Sequence, residues 1–505
     1  MKLGNKLLAF VFAATLLISS CTKEIEKPNI LLIAVDDLND WVGAFGGNPQ
    51  MLTPNMDELA SQSVVFMNTN CPGPVCGPSR SALLSGFMPY HTGVYGNSNN
   101  MLNSEIVQTH ATLPEYFSKH GYITISKGKI FHKHTTENGF DHGQWAYDIW
   151  EQEKGSEPIQ EDKLFSRNKG IINGQFDPEA NYRSGGGTEF AWAPTKSKKE
   201  ETKDYRTAMW FADKLNENYD KPFFMLMGIS KPHLPWYVPE EYFEMYDLDS
   251  IKIPEYRLDD LDDIVDENGK KAFSPSEDFL WVQEDEELFK RAVRAYMAAS
   301  TYADDCIGLT LEALKNSKYA DNTIVILFGD HGWHLGEKLR FRKATLWKES
   351  TQLPFMIKLP GMDRLQTCTR TVNLIDLYPT LIDLCDLPEK ELDGESIVPL
   401  LMDPETPWHP TVTTRGPGSH SVISEDWHYI KYDDGVEELY NLNTDKMEWT
   451  NLVRSDSKEA IDALENLKAS FPEGDVPPIK KNSMNKTMKE LDTSIKARRD
   501  LQKLK

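Results

Sequence analysis

Asn29-Ile-Leu-Leu-Ile-Ala-Val35, closed by Asp36-Asp37, is apolar without alternation and then abruptly charged. A continuous apolar run of this length suits a strand covered on both faces, as strands of a parallel sheet are. Thr323-Ile-Val-Ile-Leu-Phe328 repeats the pattern and ends in Gly329-Asp330-His331-Gly332, and Phe223-Phe-Met-Leu-Met-Gly228 repeats it ahead of Lys231-Pro232-His233. Helical periodicity intervenes over 205–216 and 286–315. Strands alternating with helices predict an α/β fold: a large, mixed, mostly parallel sheet sandwiched by helices, with the active site outside the carboxyl ends of the strands. Three runs that each stop at carboxylates or imidazoles satisfy that rule together.

At 505 residues the chain exceeds what one core usually supports, so two packed domains are expected. The first is placed at 28–405. From 406 to 505 the texture changes to short β-like pieces, Ser421-Val-Ile-Ser424 and His428-Tyr-Ile-Lys-Tyr432, with a turn at Asp433-Asp434-Gly435. This reads as a smaller antiparallel α+β subdomain, closed by a basic, solvated tail from Lys480. Residues 134–200, rich in Gly, Asp and Glu, read as a long irregular excursion bordering a cleft. The formal charge of −23 argues against nucleic acid as a partner, because phosphate backbones are bound by clustered Lys and Arg.

Residues 1–21 carry Lys2 and Lys6, an apolar stretch from Leu7 to Ile18 too short to span a bilayer, then Ser19-Ser20-Cys21. The segment reads as an export signal and resembles a bacterial lipobox, with Cys21 acylated. That makes the protein periplasmic or an outer-membrane-anchored lipoprotein of a Gram-negative bacterium, touching membrane only through the anchor. Cys71, Cys76, Cys306, Cys368 and Cys385 remain, an odd count that leaves at least one without an intramolecular partner. Cys76 is assigned that place. Cys306, in a helical pattern, reads as a buried small hydrophobe, and the other three stay open.

Carboxylates at the end of a buried strand repel one another and lose solvation, so Asp36-Asp37 needs a compensating charge. With Asp330 they offer oxygens from two strand ends, the donors that calcium or magnesium prefers. Pro78 and its small neighbours suit a helix running through Ser79 to Leu84, which puts Cys76 just ahead of a helix N-terminus, where a thiol pKa is depressed. From the residues alone, Cys76 is a reactive or metal-binding thiol.

Cys76-x-Pro78-Ser79-Arg80-x-x-x-Leu84-Ser85-Gly86 resembles the signature of the type I sulfatases of the alkaline phosphatase superfamily. Pro28-Asn29-Ile30, Gly128-Lys129-Ile-Phe-His132, Lys231-Pro-His-Leu-Pro, Asp330-His331-Gly332-Trp333, Lys343 and Glu438-Leu439-Tyr440 extend the resemblance over nearly the whole mature chain. Several of these look most like the branch that includes iduronate 2-sulfatase. The resemblance implies an alkaline phosphatase-like fold, and conversion of Cys76 to formylglycine (3-oxoalanine) by a maturation enzyme. The hydrated aldehyde then has one hydroxyl to attack sulfur, while the other re-forms the aldehyde and ejects sulfate. It further implies one Ca2+ on Asp36, Asp37, Cys76, Asp330 and His331, with Arg80 bound to the diol. Lys129 and Lys343 would hold the sulfate, His132 would take the hydroxyl proton, and His233 would protonate the leaving alcohol.

The implied activity is hydrolysis of sulfate esters on a sulfated oligo- or polysaccharide, uronate-containing by its likeness to the iduronate branch. Arg80, Lys129, Lys343 and one of Arg340 or Arg342 would surround the anionic ester with positive charge, and candidate substrate residues outside the sulfate subsite are His91, Tyr95, Asn97, Trp236, Tyr237, His334, Arg342, Arg415 and His420, with His420 the leading one. Two other readings share these features: a formylglycine-dependent phosphonate monoester hydrolase or phosphodiesterase, and a non-catalytic surface glycan-binding lipoprotein.

Overall fold

A computed structural model describes residues 27–132, 146–151 and 190–479, with the backbone of short strands between 134 and 183. The expected export signal and Cys21, the tail from Lys480 and much of the excursion over 134–200 lie outside the described residues. Among the described residues no helix is long and apolar enough to cross a membrane.

The central sheet contains β1 (Asn29–Val35), β2 (Val64–Asn70), β3 (Ile123–Gly128), β4 (Ile149–Glu151), β5 (Phe223–Ile229), β6 (Thr323–Gly329), β7 (Gln352–Leu353), β8 (Phe355–Lys358) and β9 (Gln366–Asn373). β1 lies parallel between β5 and β6, and β5 continues in parallel to β3 and β4. Beyond β6 the sheet is mixed: β8 is antiparallel to β6 and to β2, β7 is antiparallel to β2, and β9 is parallel to it.

The apolar runs are buried on both faces, as their composition requires. Along β1, Leu31, Ile33 and Val35 join one core, while Ile30, Leu32 and Ala34 join the other. Helix α1 (Cys76–Ser85) packs on the second face through Leu83 and Leu84. Helices α2 (Lys203–Leu215) and α3 (Glu286–Lys315) cover the first. Fully burying each Leu or Ile contributes roughly 1.5–3 kcal/mol, so these strands are the anchors of the molecule. Register then sets the site: Val35 lies opposite both Ile229 and Gly329, so Asp36, Ser230 and Asp330 leave the sheet at one edge.

A second sheet, β10 (Thr411–Gly416), β11 (Ser419–Ile423), β12 (Trp427–Lys431) and β13 (Glu437–Asn441), is an antiparallel meander covered by α4 (Lys458–Lys468). Val422, Tyr429 and Leu439 meet Ala460 and Leu467. Thr413 Oγ1 donates to the Cys71 carbonyl (2.6 Å), and Thr414 N–H to the Pro72 carbonyl (2.9 Å), tying this sheet to the approach to Cys76. After α4 the chain returns to the large domain, where Val476 N–H donates to the Tyr90 carbonyl and Ile479 N–H to the Gly93 carbonyl, both at 2.9 Å.

Cys71, Cys76, Cys306, Cys368 and Cys385 are all buried, and among the described residues none of them, including the three left open by the sequence, forms a disulfide. Cys306 is fully buried on α3.

Candidate active site

Four parallel strand ends deliver the chemistry. β1 ends in Asp36-Asp37, β6 in Asp330-His331, β3 in Lys129 and β5 leads to His233. Asp37 takes φ +64°, a left-handed conformation that costs a non-glycine residue about 1–2 kcal/mol. Its turn is held by Tyr296 of α3, whose hydroxyl donates to the Asp37 carbonyl and accepts from Asn39 N–H, each at 2.9 Å. Asp37 N–H also donates to Asp330 Oδ1 (3.1 Å), locking the two strand ends together.

α1 begins at Cys76 itself, with Val75 at the N-cap, rather than near Pro78. Gly77 N–H, one of the unpaired first-turn donors, is satisfied by Asn97 Oδ1 (2.7 Å). Ser79 Oγ donates to the Asp330 carbonyl (2.5 Å). The helix therefore aims Cys76 Sγ at His331 Nε2 (3.2 Å), Lys343 Nζ (3.0 Å) and Asp37 Oδ1 (3.8 Å).

Cations balance the carboxylates. Lys129 Nζ lies 2.5 Å from Asp36 Oδ2, and Lys343 Nζ pairs with Asp37 Oδ1. Arg80, 1% exposed, donates from Nε to Asp330 Oδ2 (2.7 Å) and faces Asp36 Oδ1 at 3.5 Å. Its Nη1 donates to the carbonyls of Lys129 and Ile130, so one guanidinium joins α1, two strand ends and the Lys129 loop.

Burial and these charges sort the titrations. Burial alone would raise Asp36, but Lys129, His233, Arg80 and Lys343 outweigh it and hold the carboxyl well below its ordinary value. Asp37 is raised, because burial outweighs Lys343. Lys129 stays protonated above its ordinary range, since Asp36 overcomes the cost of burial. His233 falls to about 3, and His132 well below its ordinary range, chiefly through burial. The Cys76 thiol is raised by burial and by Asp36, contrary to the depression expected from its helix terminus. Desolvation and nearby carboxylates dominate the helix field at this depth.

Asp36, Asp37, Cys76 and His331 each bring one donor atom, and all four atoms lie within 4.8 Å of one another. Asp330 stands beside this group: its Oδ1 is 3.5 Å from His331 Nε2 while both carboxylate oxygens already accept hydrogen bonds. Asp37 Oδ2 is buried and has no hydrogen-bond partner. A buried, unpartnered carboxylate oxygen within a cluster of acidic donors fits a divalent cation.

His132 Nδ1 is likewise buried without a partner. His233 Nδ1 bonds the Leu234 carbonyl (2.6 Å), which leaves Nε2 facing Asp37 Oδ2 at 3.9 Å.

The candidate substrate residues divide. His334 and His420 lie in the interior. His334 is fully buried, bonded through Nε2 to Thr345 Oγ1 (2.7 Å) and set edge-on to Trp347. His420, 1% exposed, is spanned by Thr414 Oγ1 (3.0 Å) and Asp475 Oδ2 (3.1 Å), so it braces the small sheet. Trp236 and Tyr237 are buried too, Trp236 Nε1 donating to the Pro232 carbonyl (2.6 Å).

His91 is exposed and pairs with Asp393 (2.7 Å), and Tyr95 OH reaches the Val476 carbonyl (2.8 Å). Arg342 pairs with Asp278 (2.5 Å), and Arg340 lies over the Trp347 ring at 5.3 Å. Asn97 is exposed and accepts from Gly77 N–H through Oδ1. Arg415 is exposed and donates from Nε to the Ala344 carbonyl (2.9 Å), next to Lys343. Sequence reasoning passed over Tyr296, which looks like an ordinary helix residue, and quoted Ser79 in the cysteine motif without giving it a role; the three-dimensional crossing at the strand ends reveals both contacts.

A family model described as Sulfatase matches residues 28–387. The chain belongs to the sulfatase family. A second model, the C-terminal part of N-sulphoglucosamine sulphohydrolase, matches 329–472. This sulfatase is 34% identical over 455 residues to a sulfatase of Formosa agariphila, covering 88% of this chain and 87% of that one. It is 30% identical over 397 residues to the iduronate 2-sulfatase of Mus musculus, covering 71% and 69%. A solved structure in complex with D-glucosamine-2-N,6-O-disulfate superposes with TM-score 0.64 at 18% identity, over 93% of this chain and 98% of that one. The phosphonate monoester hydrolase of Agrobacterium radiobacter shares the fold as well, with TM-score 0.68 at 21% identity, over 89% and 99%. The sulfatase is thus a sulfuric ester hydrolase on an alkaline phosphatase-like fold.

Proposed function

We propose that this sulfatase removes sulfate from a sulfated, uronate-containing oligo- or polysaccharide, using formylglycine derived from Cys76. The observation that carries the reading is the meeting of Cys76 with Lys343, His331 and Asp37 at one edge of the sheet. When bound, Ca2+ on Asp36, Asp37, Asp330 and His331 would polarise the sulfate ester. The hydrated aldehyde would supply the attacking hydroxyl.

The rest falls to the chain's own side chains. Lys129 and Lys343, held protonated beside Asp36 and Asp37, would receive the sulfate oxygens and stabilise the charge that grows on them. Arg80 fixes the spacing between α1 and the Lys129 loop and would bond the diol. His233, neutral through burial yet 27% exposed at its side chain, turns Nε2 toward Asp37 Oδ2. An anionic ester beside it raises its proton affinity, preparing it to protonate the leaving alcohol. His132 would take the second hydroxyl's proton.

The likeness to iduronate 2-sulfatase supports a sulfated uronate, and Arg415 beside Lys343 supports an anionic group next to the sulfate. We further read residues 1–21 as directing export to the periplasm or to a lipid-anchored place on the outer membrane, with a separate maturation enzyme converting Cys76.

The test is a panel of defined sulfated saccharides, an aryl sulfate, an aryl phosphodiester and a phosphonate monoester, given to protein whose Cys76 conversion is verified by peptide mass. Release of inorganic sulfate from uronate-bearing saccharides is expected. Faster turnover of the phosphodiester or phosphonate would favour the phosphonate hydrolase reading, for which the shared fold speaks. No turnover of any substrate by fully converted protein would favour the glycan-binding reading.

A further inference from the structure

We infer that the unconverted chain, with Cys76 still a thiol, holds a borderline-soft cation of the Zn2+ class in this pocket, on Cys76 Sγ, His331 Nε2, Asp37 and Asp36. The spacing of the donors is the first reason. Cys76 Sγ to His331 Nε2 is 3.2 Å, His331 Nε2 to Asp37 Oδ1 is 3.4 Å, and Cys76 Sγ to Asp37 Oδ1 is 3.8 Å. Zinc bonds of about 2.3 Å to sulfur and about 2.0 Å to nitrogen or oxygen give tetrahedral edges of roughly 3.3–3.6 Å between such donors. The fourth donor, Asp36, belongs to the same group, which spans up to 4.8 Å, and has to close in on the cation and release Lys129 from Oδ2.

Donor chemistry is the second reason. A thiolate and an imidazole among four ligands suit zinc, whereas calcium takes six to eight oxygens. His331 Nδ1 bonds the Gly332 carbonyl (2.9 Å), which keeps the proton on Nδ1 and leaves Nε2 a lone pair directed at Cys76. That outer contact is the kind that orients a metal-bound histidine. Asp37 Oδ2, buried and unpartnered, is a free oxygen at the same place. Lys343 Nζ touches both Cys76 and Asp37, so a cation has to displace it.

On binding, the thiol gives up its proton to solvent and a sulfur–metal bond forms. Conversion of Cys76 replaces that sulfur with oxygen, and the pocket loses its softest ligand. The oxidation state of one side chain therefore selects the class of metal. This inference shares donors with the proposed function but concerns the chain before conversion, so the two fail separately.

The experiment uses full chain produced without a maturation enzyme, its unmodified Cys76 verified by peptide mass, stripped by chelator and titrated with Zn2+, Ca2+ and, as optical probe, Co2+. One Zn2+ should be retained in preference to Ca2+ by about a hundredfold or more. Co2+ should give a thiolate charge-transfer band in the near ultraviolet. Cys76→Ser and fully converted chain should both lack that band, the converted chain serving as control should Cys76→Ser fail to fold. A Co2+ adduct without the band, or Zn2+ affinity unchanged in both controls, overturns the inference. Loss of Ca2+ binding by converted chain, with the Zn2+ result intact, counts against the proposed calcium site alone.

Discussion

Lys343 touches both the nucleophile position and a carboxylate of the cation cluster, through Cys76 Sγ at 3.0 Å and Asp37 Oδ1. Lys343→Ala should lower kcat by about 10²–10³-fold, the usual effect of removing one donor to a developing charge. Steady-state kinetics on verified converted protein measure this, and Cys76→Ala should show no turnover while its circular dichroism stays that of the parent. An active Cys76→Ala protein would sink the formylglycine reading. At this scale the strand-end residues were legible because their types are costly where they stand, as carboxylates closing buried runs; Cys76 was legible from its Pro-Ser-Arg neighbours and not from pairing, since all five described cysteines are unpaired. The surroundings of His334 and His420 were not legible: Thr345 engages His334 Nε2, and Thr414 and Asp475 engage the two ring nitrogens of His420.

β1, β5 and β6 could be read from composition, since unbroken apolar runs have only a two-sided burial to satisfy, and α3 spans the same 286–315 that its periodicity marked. The hairpin of His334–Leu335 with Phe341–Arg342 was not readable, being two pairs of residues joined through left-handed Lys338 and Leu339, with no period to detect. β3 and β5 approach so closely that a Cβ on Gly128, at φ +83°, would collide with the Gly228 carbonyl. Gly128→Ala should therefore destabilise the fold by about 1–3 kcal/mol, read from the urea midpoint, and lower activity too because Lys129 follows directly. Unchanged stability would mean that the strand ends yield more easily than their packing implies.

The small sheet meets the rest of the chain around a buried His428–Glu448 contact that no single segment discloses. His428 of β12 lies 2.5 Å from Glu448, both fully buried; Lys348 N–H donates to the same carboxylate (3.0 Å), and Lys338 donates to the Glu448 carbonyl and to Asp260 (2.9 Å). Burial would raise Glu448, but His428 and Lys338 outweigh it and hold the carboxyl at about 2. A depressed carboxyl contributes stability that is complete above its unfolded value near 4.5 and is lost as pH falls through 2, here on the order of 3 kcal/mol. The stability difference between the parent and Glu448→Gln, measured by urea unfolding, should thus be full at pH 7 and shrink from about pH 4.5 downward. A difference independent of pH would show that Glu448 acts by shape alone. A net charge of −23 hides this economy, just as it hides the cations gathered at the strand ends. The small sheet is also fastened twice, by Thr413 and Thr414 before its first turn and by Val476 and Ile479 after α4. A swinging flap needs one free side. Tethered at both ends, this sheet is built to stay docked against the chain around Cys71 and Tyr90.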